Sequence, residues 1–333
     1  MIVHFRGTRG SIPTAQSGTD ITEKVVSALL AARGKDLRSE GQIREFVDDH
    51  LPFHIGSTYG GNTPCVQVDT GSDEYIIFDA GSGIRSVGQE IVKNSPSGNT
   101  IQLFFSHFHF DHIQGLPFFA PAYIPGNKII VHGGHENIES SLRNQMQTPF
   151  FPIDFDSFQA EFVFQKHSPG DAFNIGDSEI SIYKLNHPGD SFGYRFQQGD
   201  KSVVYASDSE HPKFAHGKEY DYIDFIKGAD LLIFDAPYTH SESISSREHW
   251  GHSSNVMAVE LAARGEVKTL AIFHHDPNLS DQELCEFHSH TRKFLDRSRI
   301  AVREAKPGIP GAPSPRSHPY DVIMSYDGLI LNI

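Results

Sequence analysis

The stretch Ser106-His107-Phe108-His109-Phe110-Asp111-His112 stands out in this chain because four of its seven side chains are histidine or aspartate. It directly follows residues 101–105, a short apolar run that is typical of a buried strand. Imidazole and carboxylate groups are the usual protein ligands of zinc and similar divalent ions. The stretch therefore predicts a metal centre, with its first two histidines facing one ion and the adjacent aspartate and histidine facing a neighbouring ion.

Composition indicates a folded protein and limits the kinds of partner that it can bind. Hydrophobic residues make up 38% of the 333 residues, and 28 lysines and arginines against 42 aspartates and glutamates give a net charge of -14. Long nucleic acid is usually bound by a basic surface, so no such partner is expected. Cys65 and Cys285 are the only cysteines, and two are too few for a disulfide framework or a cysteine zinc site. Because neither a leader-like start nor a membrane-length apolar run is visible, we expect a cytoplasmic protein without a membrane partner.

Short apolar runs bounded by Gly, Pro, Asn or Asp recur along the chain and predict strands. The predicted strands are 66–68, 75–78, 101–105, 128–131, 161–164, 180–185, 193–196, 202–205, 231–234, 269–273 and 321–325. Helical spacing of apolar residues predicts helices at 255–264 and 281–297. Two runs of strands with interspersed helices indicate an α/β fold in which two sheets pack together with helices outside.

Residues 19–54 predict a helical hairpin inserted between two strands. Asp20 with Glu23, and Ser39 with Gln42, both fit capping boxes, and apolar residues follow each pair at helical spacing. The hairpin could be a packing or dimer element, or a lid over the site; its apolar faces suggest a homodimer. Near the end of the chain, five prolines within 306–319 predict an irregular loop.

Three later residues share the position of the first cluster, directly after an apolar strand. They are His187, Asp208 and His274. A lone histidine at such a place is usually structural. Three candidates at the same relative position, in a chain that already carries the cluster, predict further metal ligands.

The order of Asp79-Ala80-Gly81, the 107–112 cluster, His187, Asp208 and His274 resembles the metallo-β-lactamase superfamily over nearly the whole chain outside the insertion. The resemblance implies a four-layer αββα sandwich, a single domain over residues 1–333, and two divalent ions at one edge of the sheets. Zinc is expected first, and manganese or iron would suit the same ligands. The implied ligands are His107, His109 and His187 for one ion and Asp111, His112 and His274 for the other, with Asp208 bridging them and Asp79 supporting the site from behind.

Finer features resemble the phosphodiesterase branch of that superfamily. An aspartate at the bridging position resembles phosphodiesterases, glyoxalases and lactonases, since β-lactamases usually carry cysteine there. Asp235-Ala236-Pro237-Tyr238 followed by Gly251-His252-Ser253-Ser254 is similar to paired motifs of tRNase Z and PhnP-like enzymes. The resemblance implies that Asp235 orients His252, which would bind the phosphate or protonate the leaving oxygen. Alternatively, His252 only precedes the helix at 255–264.

The motif Phe273-His274-His275-Asp276-Pro277 offers two candidate ligands. Matching its proline to the phosphodiesterase motif favours His274 over His275.

Two departures from these relatives bear on the substrate. tRNase Z enzymes carry a long arm for gripping tRNA between the residues that match His187 and Asp208. Here only twenty residues lie between them, and they predict a hairpin. PhnP-type enzymes often add a cysteine-rich zinc site, which two cysteines cannot build. A small substrate is therefore expected rather than a polymer.

The leading hypothesis is hydrolysis of a phosphodiester bond in a small nucleotide-like or cyclic nucleotide substrate, by a metal-activated water that Asp111 or Asp208 orients. One alternative is a lactone or thioester hydrolase of the same fold. Acyl hydrolysis has no evident need of a phosphate-facing histidine, so His252 and Asp235 weigh against it. The other alternative is a metal-binding sensor or scaffold without activity, but such proteins tend to lose ligands, and every expected position is filled here.

Overall fold

The fold consists of two sheets with helices outside, as the strand pattern predicts. The computed structural model describes residues 1–211, 220–240, 249–304 and 321–333. The described strands are β1 (Ile2–Gly7), β2 (Cys65–Asp69), β3 (Tyr75–Phe78), β4 (Thr100–Phe104), β5 (Lys128–Gly133), β6 (Glu161–Lys166), β7 (Ala172–Ile175), β8 (Ser178–Leu185), β9 (Ser191–Gln198), β10 (Lys201–Ala206), β11 (Leu231–Asp235), β12 (Thr269–Phe273), β13 (Asp321–Met324) and β14 (Ile330–Asn332). The described α-helices are α1 (Gly18–Ala32), α2 (Glu40–His50), α3 (Phe53–Gly56), α4 (Ile84–Asn94), α5 (Phe110–Ile113), α6 (Ile138–Gln145), α7 (Asp221–Ile226), α8 (Asn255–Arg264) and α9 (Asp281–Glu304).

Each sheet has seven strands. The first has the order β14-β1-β2-β3-β4-β5-β6 and the second the order β13-β12-β11-β10-β9-β8-β7. Strands β3 to β6 are parallel, and so are β10 to β13. Strands β9 and β10 form the predicted antiparallel hairpin. Because the carboxyl ends of parallel strands meet at one edge of a sheet, residues that follow these strands are brought together there.

Three apolar cores separate the layers. Phe78 and Phe104 of the first sheet meet Tyr205 and Phe273 of the second in the core between the sheets. A second core packs α4 and α6 against the first sheet, and a third packs α7, α8 and α9 against the second. The four-layer αββα sandwich is therefore confirmed.

Strand β11 shows why a continuous apolar run suits this architecture. Leu231 and Ile233 point into the core between the sheets, whereas Leu232 and Phe234 point into the helix-facing core. Successive side chains of a strand point to opposite faces, so a strand covered on both sides must be apolar at every position. Burying each such side chain contributes roughly 1.5–3 kcal/mol.

The insertion between β1 and β2 is helical, as predicted, and contains α1, α2 and α3. Helix α1 packs mainly against α3 and does not pair with α2 as a hairpin would. The second predicted capping box is confirmed, since Ser39 and Gln42 cap each other's backbone. The first was misplaced: Ser17 is the N-cap and Asp20 is its partner. No side chain of α1 is buried, and Leu29 and Leu30 are exposed. The choice between lid and packing element therefore stays open.

Some elements of the structure were not predicted, because their sequences show weaker helix or strand patterns. Helix α4 was not predicted, because its N-cap Gly83 makes no side-chain cap and Gly88 interrupts its middle. Gly88 is needed there, since a Cβ would lie 2.9 Å from Phe119 and Pro121 side chains. The loop predicted within 306–319 lies outside the described residues. Among the helices that the structure describes, none is both long enough and apolar enough to cross a membrane.

Candidate metal centre

All seven predicted ligands lie at one edge of the two sheets. His107, His109, Asp111 and His112 follow β4, partly within the short helix α5. His187, Asp208 and His274 follow β8, β10 and β12. The geometry thus brings together residues from both sheets that are up to 167 positions apart.

The first group consists of His107, His109, His187 and Asp208, whose ligand atoms lie within 4.8 Å of one another. His187 Nε2 lies 3.1 Å from His109 Nδ1. His187 donates its Nδ1–H to the carbonyl oxygen of Gly251 at 2.8 Å, which leaves Nε2 available as a ligand.

The second group consists of Asp111, His112 and His274. His274 Nε2 lies 3.1 Å from Asp111 Oδ2 and 3.4 Å from His112 Nε2. The three donor atoms therefore converge on one point.

Asp208 divides its two carboxylate oxygens between the groups. Oδ2 lies 3.5 Å from His107 Nε2 and 3.7 Å from His187 Nε2. Oδ1 lies 3.3 Å from both His112 Nε2 and His274 Nε2. This is the arrangement that a bridging carboxylate requires.

The donor set fits divalent cations. Nε2 of His107 is buried without any hydrogen-bond partner, a costly state for a polar atom unless it has a ligand. Within the described residues, every basic group within 4 Å of Asp79, Asp111 or Asp208 is a histidine, so the buried carboxylates have no permanent cation beside them. Zinc–ligand bonds of about 2.0–2.1 Å in a tetrahedron place ligand atoms about 3.3 Å apart, close to the separations seen here.

Asp79 supports the second group from behind. Its Oδ2 accepts hydrogen bonds from His112 Nδ1 and from the hydroxyls of Ser106 and Tyr205, each at 2.7 Å. The ring of Tyr205 belongs to the core between the sheets, so this hydrogen bond ties the metal centre to the hydrophobic core. Holding Nδ1 in this way directs His112 Nε2 towards the other donors.

The electrostatics of His107 and Asp208 agree with metal binding, whereas, despite burial, the surrounding carboxylates raise the pKa values of His112 and His274. Burial, followed by the neighbouring imidazole of His112, holds the pKa of His107 well below its usual range and keeps the ring neutral. Burial alone would raise the pKa of Asp208, but the imidazoles of His274, His112 and His107 outweigh it and hold that pKa well below its usual range. Neutral imidazole and ionised carboxylate are the forms that bind metals.

Three residues at strand ends adopt left-handed backbone conformations. Asp79, Asp208 and His274 have φ values of 57°, 55° and 59°. Such values are uncommon for residues other than glycine and cluster at functional sites, where surrounding contacts hold them in place.

Asp235 and His252 lie beside the second group. His252 Nδ1 is 2.9 Å from Asp235 Oδ2, and its ring stacks on that of His274 with centroids 5.0 Å apart. Burial lowers the pKa of His252, but the carboxylates of Asp235, Asp208 and Asp111 outweigh it and raise the pKa to about 9. The other oxygen of Asp235 lies 3.6 Å from His274 Nδ1, a contact that the sequence did not indicate.

The geometry distinguishes His274 from His275. His275 directs Nε2 to the carbonyl oxygen of Ser325 at 2.7 Å, so that nitrogen carries the hydrogen and faces away from the donors. His274 belongs to the converging group, as the motif match favours.

Comparison with known proteins identifies the family of this chain. The Beta-lactamase superfamily domain matches residues 74–275, more than half of the chain. The chain belongs to this superfamily. Ribonuclease Z of Oceanobacillus iheyensis is 23% identical over 280 residues, which cover 69% of this chain and 88% of that protein.

Solved structures share the superfamily fold. Human tRNase Z, short form, aligns over 100% of this chain and 99% of its own with a TM-score of 0.57 and 16% identity. A diphosphatase from the PhnP family aligns over 100% and 97% with a TM-score of 0.57 and 17% identity. At these identities the likeness shows the fold alone.

Two supports of this superfamily member's site were missed by sequence reasoning. The loop after β1 places Gly10 against His274, where a Cβ would lie 2.4 Å from the ring, and Ser11 donates its backbone N–H to Asp111 Oδ2 at 2.7 Å. Glu210 accepts hydrogen bonds from the backbone N–H groups of His249 and Gly251, next to His252. A glycine-containing turn after a strand was the available signal for Gly10, whereas Glu210 had none.

Proposed function

We propose that this protein is a hydrolase with two divalent ions that cleaves a phosphodiester bond in a small nucleotide-like substrate, cyclic nucleotides included. The observation that carries the proposal is the Asp235–His252 pair beside the two donor groups. A metal centre alone would suit many hydrolytic reactions. A protonated imidazole next to it suits a substrate whose departing alkoxide needs a proton.

The donor groups define which residues would hold each ion. His107, His109 and His187 would bind one ion, Asp111, His112 and His274 the other, and Asp208 would bridge them. When bound, two such ions lower the pKa of a water and polarise phosphate oxygens. Zinc suits the histidine-rich set, and manganese or iron remain within its range.

His252 would hold and deliver the proton. Its Nδ1–H is donated to Asp235, so Nε2 is the nitrogen left to face a substrate. The carboxylate of Asp235 raises the pKa of this imidazole and thereby favours its protonated form. His252 would bind the phosphate through this N–H and then donate the proton to the leaving oxygen.

Asp111 would orient the attacking water in addition to holding an ion. The Ser11 backbone N–H fixes one of its carboxylate oxygens at 2.7 Å. A carboxylate held in this way can accept the hydrogen of a water and aim its lone pair at phosphorus.

Two features support a small substrate. Strands β9 and β10 are joined directly by a tight turn at 199–200, at the place where tRNase Z enzymes carry their arm. The net charge of -14 is unfavourable for a long polyanion. RNA is a second candidate substrate, because relatives of this chain include ribonuclease Z proteins.

The deciding experiment measures turnover of three substrates by protein reconstituted with zinc, manganese or iron. These are bis(p-nitrophenyl) phosphate, a cyclic nucleotide and a tRNA transcript; a lactone serves as the acyl control. Cleavage of the small diesters without cleavage of RNA supports the proposal, and cleavage of RNA alone moves the function to RNA. Activity on the lactone alone, or on none of the four with any metal, overturns it.

The oligomeric state and the cellular location of the protein are also proposals. The exposed apolar side chains of α1, among them Leu29 and Leu30, support a homodimer. Sedimentation of wild-type protein and of Leu29→Glu tests it: a dimer that the variant converts to monomer is expected, and a wild-type monomer contradicts it. The cytoplasmic location stays a prediction.

A further inference from the structure

A cavity of about 240 Å³ opens beside His252 and His274. Its walls include Trp250, Tyr238, Pro237 and Pro277. Whole drug-sized ligands usually occupy pockets of roughly 300–1,000 Å³, so this cavity suits one part of a substrate. It adjoins the second donor group, because His274 lines it, whereas the first group (His107, His109, His187 and Asp208) contributes no wall to it.

The position of the cavity relates it to the leaving group. His252 lines it, and His252 is the residue that would protonate the departing oxygen. Whatever is attached to that oxygen must extend past His252. Trp250 and Pro277 line the same cavity as His252.

The walls favour a flat aromatic group. Trp250 is the single tryptophan of the chain and is 54% exposed, although large aromatic side chains are usually buried. Tyr238 adds a second ring and two prolines add flat apolar surfaces. A half-exposed indole that lines a cavity can contribute a stacking surface for a base.

Both walls are anchored, which prepares the cavity for binding. Glu210 accepts the backbone N–H groups of His249 and Gly251 at 3.0 and 3.1 Å and thus holds the segment that contains Trp250. On the other side, the buried side chain of Arg9 donates to the carbonyl oxygens of Asp276 and Leu279 at 3.0 and 2.8 Å. A pocket held in its binding conformation loses less entropy when a ligand enters.

We propose that this cavity is the leaving-group subsite and that it binds the base of a nucleoside stacked against Trp250. The proposal rests on the phosphodiesterase function proposed above and narrows it to substrates whose leaving alcohol is a nucleoside. Trp250 would contribute binding and orientation of that nucleoside and would take no part in proton transfer.

The single tryptophan allows a direct binding test on the metal-loaded wild-type protein. Adenosine 5′-monophosphate is titrated while tryptophan fluorescence is followed, and ribose 5-phosphate is the control because it lacks only the base. We expect a saturable change of fluorescence with the nucleotide and none at the same concentrations of the control. Equal responses to the two ligands would overturn the proposal.

Competition kinetics test the role of Trp250 itself. In the hydrolysis of bis(p-nitrophenyl) phosphate, Trp250→Ala is expected to raise the inhibition constant of the nucleotide about tenfold, the usual cost of losing one base–aromatic stack. The constant for ribose 5-phosphate should not change, and Trp250→Phe should restore most of the nucleotide affinity. Phe150→Ala, which removes an exposed aromatic ring outside the cavity, is the matched control. Equal weakening of both ligands by Trp250→Ala contradicts the proposal.

Failure of the subsite and failure of the proposed function give different results. Turnover of the diester without discrimination between nucleotide and ribose 5-phosphate removes the subsite only. Base-dependent fluorescence without turnover of any diester removes the phosphodiesterase function and, with it, the leaving-group role of the cavity.

Discussion

Asp235 accepts the Nδ1–H of His252 at 2.9 Å while its other oxygen lies 3.6 Å from His274. One fully buried carboxylate therefore contacts both the proposed proton donor and a proposed metal ligand. Proton donation by His252 and metal binding by His274 must therefore be measured separately, because loss of either would lower activity.

His252→Ala is expected to lower kcat by roughly 10²–10⁴-fold for diesters with an alkoxide leaving group, because general acids contribute about that much. For p-nitrophenyl esters the loss should be much smaller, since p-nitrophenolate departs without a proton. Metal content, measured by elemental analysis, should stay unchanged. Equal losses on the two substrate types would argue that His252 only binds the phosphate. His50→Ala, an exposed histidine of α2, is the control.

His274→Ala is expected to reduce the number of bound metal ions, because His274 Nε2 belongs to the second donor group. His275→Asn should keep the metal content of the wild type, since His275 is hydrogen-bonded to the backbone of Ser325. Elemental analysis of each purified variant decides between the two histidines. The reverse result would assign the ligand to His275.

Gly10→Ala is expected to disturb the metal centre although glycine carries no chemistry. A Cβ at Gly10 would lie 2.4 Å from the His274 ring, so that ring or the β1 loop must shift. We expect weaker binding of metal and at least a tenfold loss of activity, in line with the effect of displacing metal-site supports. Gly18→Ala, where no atom lies within 4 Å of the new Cβ, should behave like wild type. An unchanged metal affinity of Gly10→Ala would contradict the proposed role of the loop.

Asp327→Asn tests the pH dependence of stability. Burial raises the pKa of Asp327 from 3.8 to about 6, despite hydrogen bonds from Gly61, Asn62 and Thr8. The unfolded chain therefore releases this proton at lower pH than the folded protein does. The free energy of unfolding of wild type should fall as pH rises between about 4 and 6 and then level off.

As the pH rises from about 4 to about 8, the free energy of unfolding of Asp327→Asn should increase relative to that of wild type by on the order of 2 kcal/mol. Urea unfolding at several pH values measures the difference between the proteins. Asp49→Asn, on the exposed surface of α2, controls for the loss of one charge. A stability difference between Asp327→Asn and wild type that does not vary with pH would show that the carboxyl of Asp327 is not perturbed.

Most of the site could be predicted because its residues are chemically distinctive and follow recognisable strands. His187, Asp208 and His274 each come directly after a run of apolar residues, so their common edge could be inferred without coordinates. The supports Ser11 and Glu210 could not, because a backbone N–H or a surface carboxylate has no distinctive pattern. Ser11 contacts Asp111 across 100 residues of sequence.

The residue pattern alone was enough to predict two packed sheets with helices outside and to single out candidate metal donors, since periodicity and ligand chemistry are local properties of the chain. The resemblance to the superfamily added the αββα class and the division of the candidate ligands between two ions. The three-dimensional fold was needed for the division of the Asp208 oxygens, the contact between Asp235 and His274, and the cavity walled by Trp250. Each of these depends on how strand ends and loops far apart in the sequence pack against one another. Such separations are set by packing within and between the two sheets and are not encoded in any short stretch of sequence.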